Sequence, residues 1–427
     1  MLHISTKRFY STFLISSYLL LIMCGLLLPS DGGHGLLNPK SLAFLATTFF
    51  VGLHFLVTRH FNFYQIKYLS VLFYFLTFVF TWLLIGAIHA DSLESPVDQF
   101  KLFLITLLFV FFTVYLVNHK VISPERILKA VIYTNFTYSF IKVSAVILHI
   151  LGVINIFTLL TMMGMRFMSM DIYGQLMRMQ TSVDIITPFL ILFVLHSSVL
   201  NLNLNKKFRI LFLIISPLSI FLSFSRYLIL VGLFGYFFYW ISDKLIGKIK
   251  VVFAILLLMG CAVAVIGTEP FSKVLKNRNA GNYDSDQTRV IQIQNLIQEF
   301  EYFPLLGKGM GGYATNAVRD DKIQHSYEVQ WVAFLMQFGV IGISLLLMAL
   351  GVIAIEFLKP PLTIIKLSFL LLFILWLLSG FTNPFLISLT SGIIYTIFFL
   401  AGILLNRPTY DLNTSSEKIN TLKKDFL

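Results

Sequence analysis

Two stretches of this chain hold the residues best placed to do chemistry. In "LSFSRYLILVG" (222–232), Arg226 has Arg209 and Asp243 as its nearest charges, leaving sixteen uncharged residues on each side. A charge at bilayer depth is costly and marks a pathway or a site. A single arginine snorkelling to lipid phosphate would explain it equally well. In "IQHSYEVQWVAFLMQFGVIG", Glu328 follows His325 by three positions. If a helix begins near Ser326, imidazole and carboxylate lie together at its end, and these are the two common general bases near neutral pH. The competing explanation is a histidine capping a helix at an interface, the commoner use of a lone His.

Other motifs carry less. "GKGMGG" (307–312) looks like a phosphate loop but has neither Walker nor Rossmann spacing, and a turn of positive-φ glycines accounts for it. Asp284 and Asp286 in "DSD" are a weak metal motif in a loop. Cys24 and Cys261 fall inside apolar runs and frame neither a disulfide nor a metal site. Lys142 lies within an apolar run, where it could serve a function or snorkel outward.

The elements that position these residues follow from composition. The chain is 57% hydrophobic and only 12% charged, with 44 Phe and a mean hydropathy of +0.84. Globular domains carry about 25% charged residues. Uncharged runs near the roughly 20 residues a spanning helix needs recur along the chain. This predicts an all-α polytopic membrane protein of about twelve transmembrane helices, over 9–28, 41–57, 68–88, 100–117, 127–150, 184–200, 208–224, 227–241, 249–267, 329–355, 363–382 and 384–405. Strands are not expected, because the runs lack the alternation of a membrane barrel. With the N-terminus inside, cytoplasmic segments carry 19 of the 32 basic residues and the short outer segments five. Both termini are therefore expected in the cytoplasm. The net charge of +12 reflects this bias and attraction to anionic lipid heads, so no nucleic-acid partner is expected.

One membrane domain over 1–427 is expected, ending in a cytoplasmic tail over 407–427, with two long outer segments. The first, 151–183, holds Arg166, Asp171 and Arg178. The second, the periplasmic loop 268–328, is too short for a robust independent domain and should pack on the bundle. Within it Val290, Ile293, Leu296, Ile297 and Phe300 recur at helical spacing, predicting an amphipathic helix over about 288–301 capped by Asp286 or Thr288. Its polar face would offer Arg289, Gln292, Asn295 and Glu299, either to solvent or as a lid over a polar cavity. Between Arg209 and Lys244, two short spans turning at Ser225–Arg226 fit better than one helix of about 50 Å, and the turn should lie in a shallow recess.

"SFSR", then "DQTR…FEYFPLLGKGMGGY", then "HSYEVQWVAFLMQFGVIG" stand in that order and together resemble the O-antigen polymerase and O-antigen ligase superfamily, best over 178–345. Members often have His-Asn where this chain has His325-Ser326. The resemblance implies a lipid-dependent glycosyltransferase without metal or cofactor, whose donor is a glycan on undecaprenyl diphosphate at the outer face of the bacterial inner membrane. Membrane lipids and a chain-length regulator are the further partners it implies. Arg226 and Arg289, with Arg178 as a third, would bind the diphosphate, and His325 would take or orient the acceptor proton with Glu328 in support. The polymerase branch is favoured; a ligase acting on lipid A–core and, further behind, a flippase for lipid-linked sugars are the alternatives. No repeated halves of a transporter are evident.

Overall fold

The computed structural model describes residues 2–28, 38–58, 63–156, 158, 168–173, 176–242, 286–318 and 323–407. Helices dominate because a backbone in lipid must bond within its own segment. They are α1 (Leu2–Leu27), α2 (Pro39–Thr58), α3 (Phe63–His89), α4 (Glu94–Asn118), α5 (Pro124–Ile150), α6 (Thr187–Leu195), α7 (Lys206–Leu222) and α8 (Arg226–Ser242). After these come α9 over 286–302, then α10 (Gln330–Leu358), α11 (Ile364–Leu378) and α12 (Leu389–Leu405). Among the described residues, α1 to α5, α10 and α11 give the seven segments long and apolar enough to cross a membrane. The chain is thus a multi-pass helical protein. The expected span 249–267, Asp284, Arg166 and most of the tail lie outside the described residues.

Three local outcomes differ from the sequence reading. The run 184–200 forms a helix of only 9 residues, α6, about 14 Å long. It ends at His196, ahead of a turn in which Asn201 and Asn203 hold positive φ. Thr187 to Val194 are all buried, so α6 is an internal helix with protein on every side. Second, the segment before it, expected as an outer loop without strands, contains an antiparallel hairpin, β1 (Met168–Tyr173) with β2 (Leu176–Gln180). Third, α10 breaks at Gly339 (φ 62°, ψ −174°).

That break is filled by the glycine-rich loop. Val340 and Ile341 N–H donate to Pro304 and Leu305 O, while Lys308 and Gly309 N–H donate to Met336 and Gln337 O. These four groups at the kink thereby find partners, the condition for irregular backbone within a membrane bundle. Gly307, Gly309 and Gly311 do hold positive φ, but inside the bundle instead of at a surface turn. A Cβ on Gly309 would stand 2.0 Å from Gly86 N.

The core lies along α6 and α12, with Phe189 edge-on to Trp376 and Phe193 edge-on to Phe369. The turn at Ser225–Arg226 is where expected: α7 stops at Leu222 and α8 begins at Arg226. Large side chains such as Phe49, Phe73 and Leu84 face outward, as lipid contact requires.

Candidate functional site

A cavity of about 430 Å³ opens where the N-terminal ends of α4, α10 and α12 meet the end of β2. Gln99, Gln180, Ser182, His325 and Gln330 supply amide, hydroxyl and imidazole groups, and Phe334 and Phe385 supply apolar faces.

His325 is 7% exposed and its Nδ1 lies 2.9 Å from Ser95 Oγ. Burial pushes its pKa down to about 4, against a smaller upward pull from Asp98. At neutral pH the ring is an uncharged imidazole able to accept a proton. Its surroundings are held by two buried amides: Gln99 Nε2 donates to Gln337 Oε1 at 2.7 Å, and Gln337 Nε2 donates to Gly312 O at 2.9 Å.

Glu328 goes elsewhere. Because α10 begins at Gln330, residues 325–329 are irregular and the two side chains part. His325 meets Ser95, while Glu328 Oε2 lies 2.9 Å from Arg289 Nε. The Nε–H is poorly angled for a hydrogen bond to that oxygen, so charge holds this pair. Arg289 Nη1 also donates to Asp286 Oδ1 at 2.6 Å, and Arg226 Nη2 stands 3.8 Å from the same oxygen. The fold thus joins Arg226, Asp286, Arg289 and Glu328 in one row of alternating charge. Arg226 is 59% exposed, so the described residues do not form the expected recess around it. Arg178 lies on β2 opposite Met170, two residues before the cavity-lining Gln180.

Helix α9 extends to 286–302, and Ile293, Leu296 and Phe300 of the expected apolar face pack inward. Leu296 is buried, and so is the polar Gln292, whose Oε1 accepts from Glu328 N at 3.0 Å, while Val290 and Ile297 are exposed. Glu299 pairs with Lys308 at 3.0 Å. A polar partner on the bundle, absent from any hydrophobic periodicity, widens the inward face to take in Gln292. Asp286 lies within α9 and is engaged by the arginines. Among the described residues no group of three His, Cys, Asp or Glu is placed to hold a metal ion. The N–H groups of the "GKGMGG" loop bond to the bundle: Met310 to Trp82 O and Gly311 to Gln99 Oε1.

Lys142 faces the protein interior. Its Nζ lies 2.7 Å from Asp184 Oδ1 and 2.9 Å from Ser219 O, both side chains being almost wholly buried. Asp184 Oδ2 accepts from Thr181 N at 2.8 Å, so the pair braces the loop that walls the cavity. Ser95, Gln99 and Gln337 were missed in the sequence. Gln337 had a signal, an amide inside an apolar run, but Ser95 had none.

The fold and site define a multi-pass membrane protein with a largely apolar cavity, edged by His325 and several amides, at one end of its helix bundle. Residues 210–347, which include Arg226, Arg289, His325 and Glu328, match the family model described as O-Antigen ligase. The match bears out the resemblance to the O-antigen polymerase and ligase superfamily, whose members are glycosyltransferase-like enzymes. No curated protein and no solved structure gives a significant match to the chain.

Proposed function

We propose that this protein is an O-antigen polymerase of the bacterial inner membrane, with both termini cytoplasmic. It transfers a glycan from undecaprenyl diphosphate to a sugar hydroxyl of another lipid-linked repeat unit at the periplasmic face. The observation that carries this reading is His325: a buried, uncharged imidazole lining a largely apolar cavity that holds a few polar groups, on the same short segment as the carboxylate that meets Arg289. The acceptor hydroxyl enters the cavity and gives its proton to the imidazole as its oxygen bonds to the anomeric carbon. The bond from that carbon to the phosphate oxygen breaks, and the diphosphate leaves with the electron pair. Arg289 and Arg226, with Arg178 as the third candidate, meet that charge. The guanidinium fork binds two phosphate oxygens and stays protonated. In the resting protein Asp286 and Glu328 pair with these guanidiniums, so an arriving diphosphate would have to displace them.

A ligase passing the glycan to lipid A–core would use the same groups, and a flippase would need none of this chemistry. The gene deletion separates the three. Without a polymerase, single repeats are still flipped and ligated, so lipopolysaccharide shows core plus one repeat and no ladder. We expect that pattern, with the ladder restored by the intact gene and not by Arg226→Ala. Bare core with long polymer stranded on undecaprenyl diphosphate would make it the ligase. Single repeats held on the cytoplasmic leaflet would make it the flippase.

A further inference from the structure

Ser95 lies 230 residues from His325 in sequence and touches it. We propose that Ser95 is a positioning residue that locks the neutral imidazole with its proton on Nδ1, leaving the lone pair on Nε2. The inference rests on the reading of His325 as the base, and it says which nitrogen does the work.

Proton directions around Ser95 follow from backbone groups whose roles are fixed. Gly311 N–H can only donate, and it donates to Gln99 Oε1 at 2.6 Å. Gln99 Nε2 is then the end that donates to Gln337 Oε1, and Gln337 Nε2 the end that donates to Gly312 O, a group that can only accept. Gly311 O likewise only accepts, and Ser95 Oγ donates to it at 3.1 Å. A serine hydroxyl has one proton, and that bond uses it. The 2.9 Å contact with His325 is then a bond in which Nδ1–H donates to Ser95 Oγ. Gly311 cannot drift to release the hydroxyl. Its φ is +74°, and a Cβ there would stand 2.3 Å from Pro96 N, so its backbone lies directly on the start of α4. Asp98, one turn beyond Ser95, acts on His325 by charge and is itself paired with Lys101 at 2.8 Å.

The test reads the tautomer as well as the activity. Protein labelled with ¹⁵N-histidine is placed in lipid nanodiscs, and His325→Gln identifies the His325 signals. We expect a protonated Nδ1 and an unprotonated Nε2 at pH 7. Ser95→Ala should move His325 toward the other tautomer or a mixture, and lower kcat about tenfold with little change in the acceptor KM. Ser95→Thr, which keeps the hydroxyl, should restore both. A wild-type ring protonated on Nε2 would overturn the proposal, as would a tautomer unchanged in Ser95→Ala. Should the tautomer respond while His325→Gln still transfers glycan normally, the base assignment fails and the role of Ser95 stands.

Discussion

Lowering the pH separates a desolvated His325 from an ordinary one. A proton on the ring abolishes its ability to act as base, so the acid limb of transfer reports where the ring titrates. Burial holds that point near 4, against 6.5 for a free imidazole. The direction follows from the cause: burial disfavours the charged form, so the active neutral form persists to lower pH. At pH 5.5 a group titrating at 6.5 would be only about 10% neutral, whereas one titrating at 4 would be about 97% neutral. The two cases differ about tenfold in rate at a pH the bundle should tolerate. The assay is glycan transfer between lipid-linked repeats in proteoliposomes, at saturating donor, from pH 4 to 8. Rates should stay nearly level from pH 7 to 5.5 and fall only toward pH 4. Glu328→Gln should keep the same limb if His325 carries it. A midpoint near 6.5 would mean the ring is hydrated in the working enzyme. A limb that disappears in Glu328→Gln would hand the base role to the carboxylate.

Arg289→Lys should lower transfer by on the order of 10² while the protein still accumulates, because lysine lacks the fork. Arg226→Lys should cost less, its side chain being 59% exposed against 21% for Arg289; normal polymer from both variants would refute the clamp. Lys142→Met leaves the Asp184 carboxylate unpaired in the interior and should destabilise the detergent-solubilised protein by about 3–5 kcal/mol, with Lys142→Met/Asp184→Asn recovering much of it. Equal thermal unfolding of the single and double variants would show that the pair is not what matters. Gly309→Ala should abolish accumulation, whereas Gly152→Ala, with φ +72° but nothing within 4 Å, should cost only the left-handed penalty of about 1–2 kcal/mol. Outer-compartment reporters should be active after Gly32, Ser92, Asn282 and Asn383 and silent after Asn118, Asn205 and Asp243; silence at Asn282 would put His325 on the wrong side.

Much of the bundle was legible because lipid imposes a simple code. A run such as 41–57 has no stable state in a bilayer except a helix, and Pro39–Thr58 is one. The turn at Arg226 followed from length and from the basic residues Arg209 and Lys244 at the two ends. Helix α9 and the packing of its Ile293, Leu296 and Phe300 were legible too, but not the burial of Gln292, because periodicity records which residues are apolar and ignores polar partners. Gln292 turned inward to meet Glu328 N, and Val290 turned outward. The hairpin over 168–180 lies between the apolar runs; its strands do alternate, in "MSMD" and "MRMQ", but over only four positions each, too few to set a strand apart from a loop.

The candidate site divides along the same line. The sequence by itself determined the solvent, the helical class, the family motifs and the few residues able to carry charge or a proton, since each of these depends on composition or on neighbours a few positions apart. Only the tertiary structure decided that His325 meets Ser95, that Glu328 turns to Arg289, and that Lys142 is spent on Asp184. Those choices are made where helix ends and loops come together in space. There a buried polar group must find whichever partner the packing brings within 3 Å, and no local pattern records a partner that lies tens or hundreds of residues away.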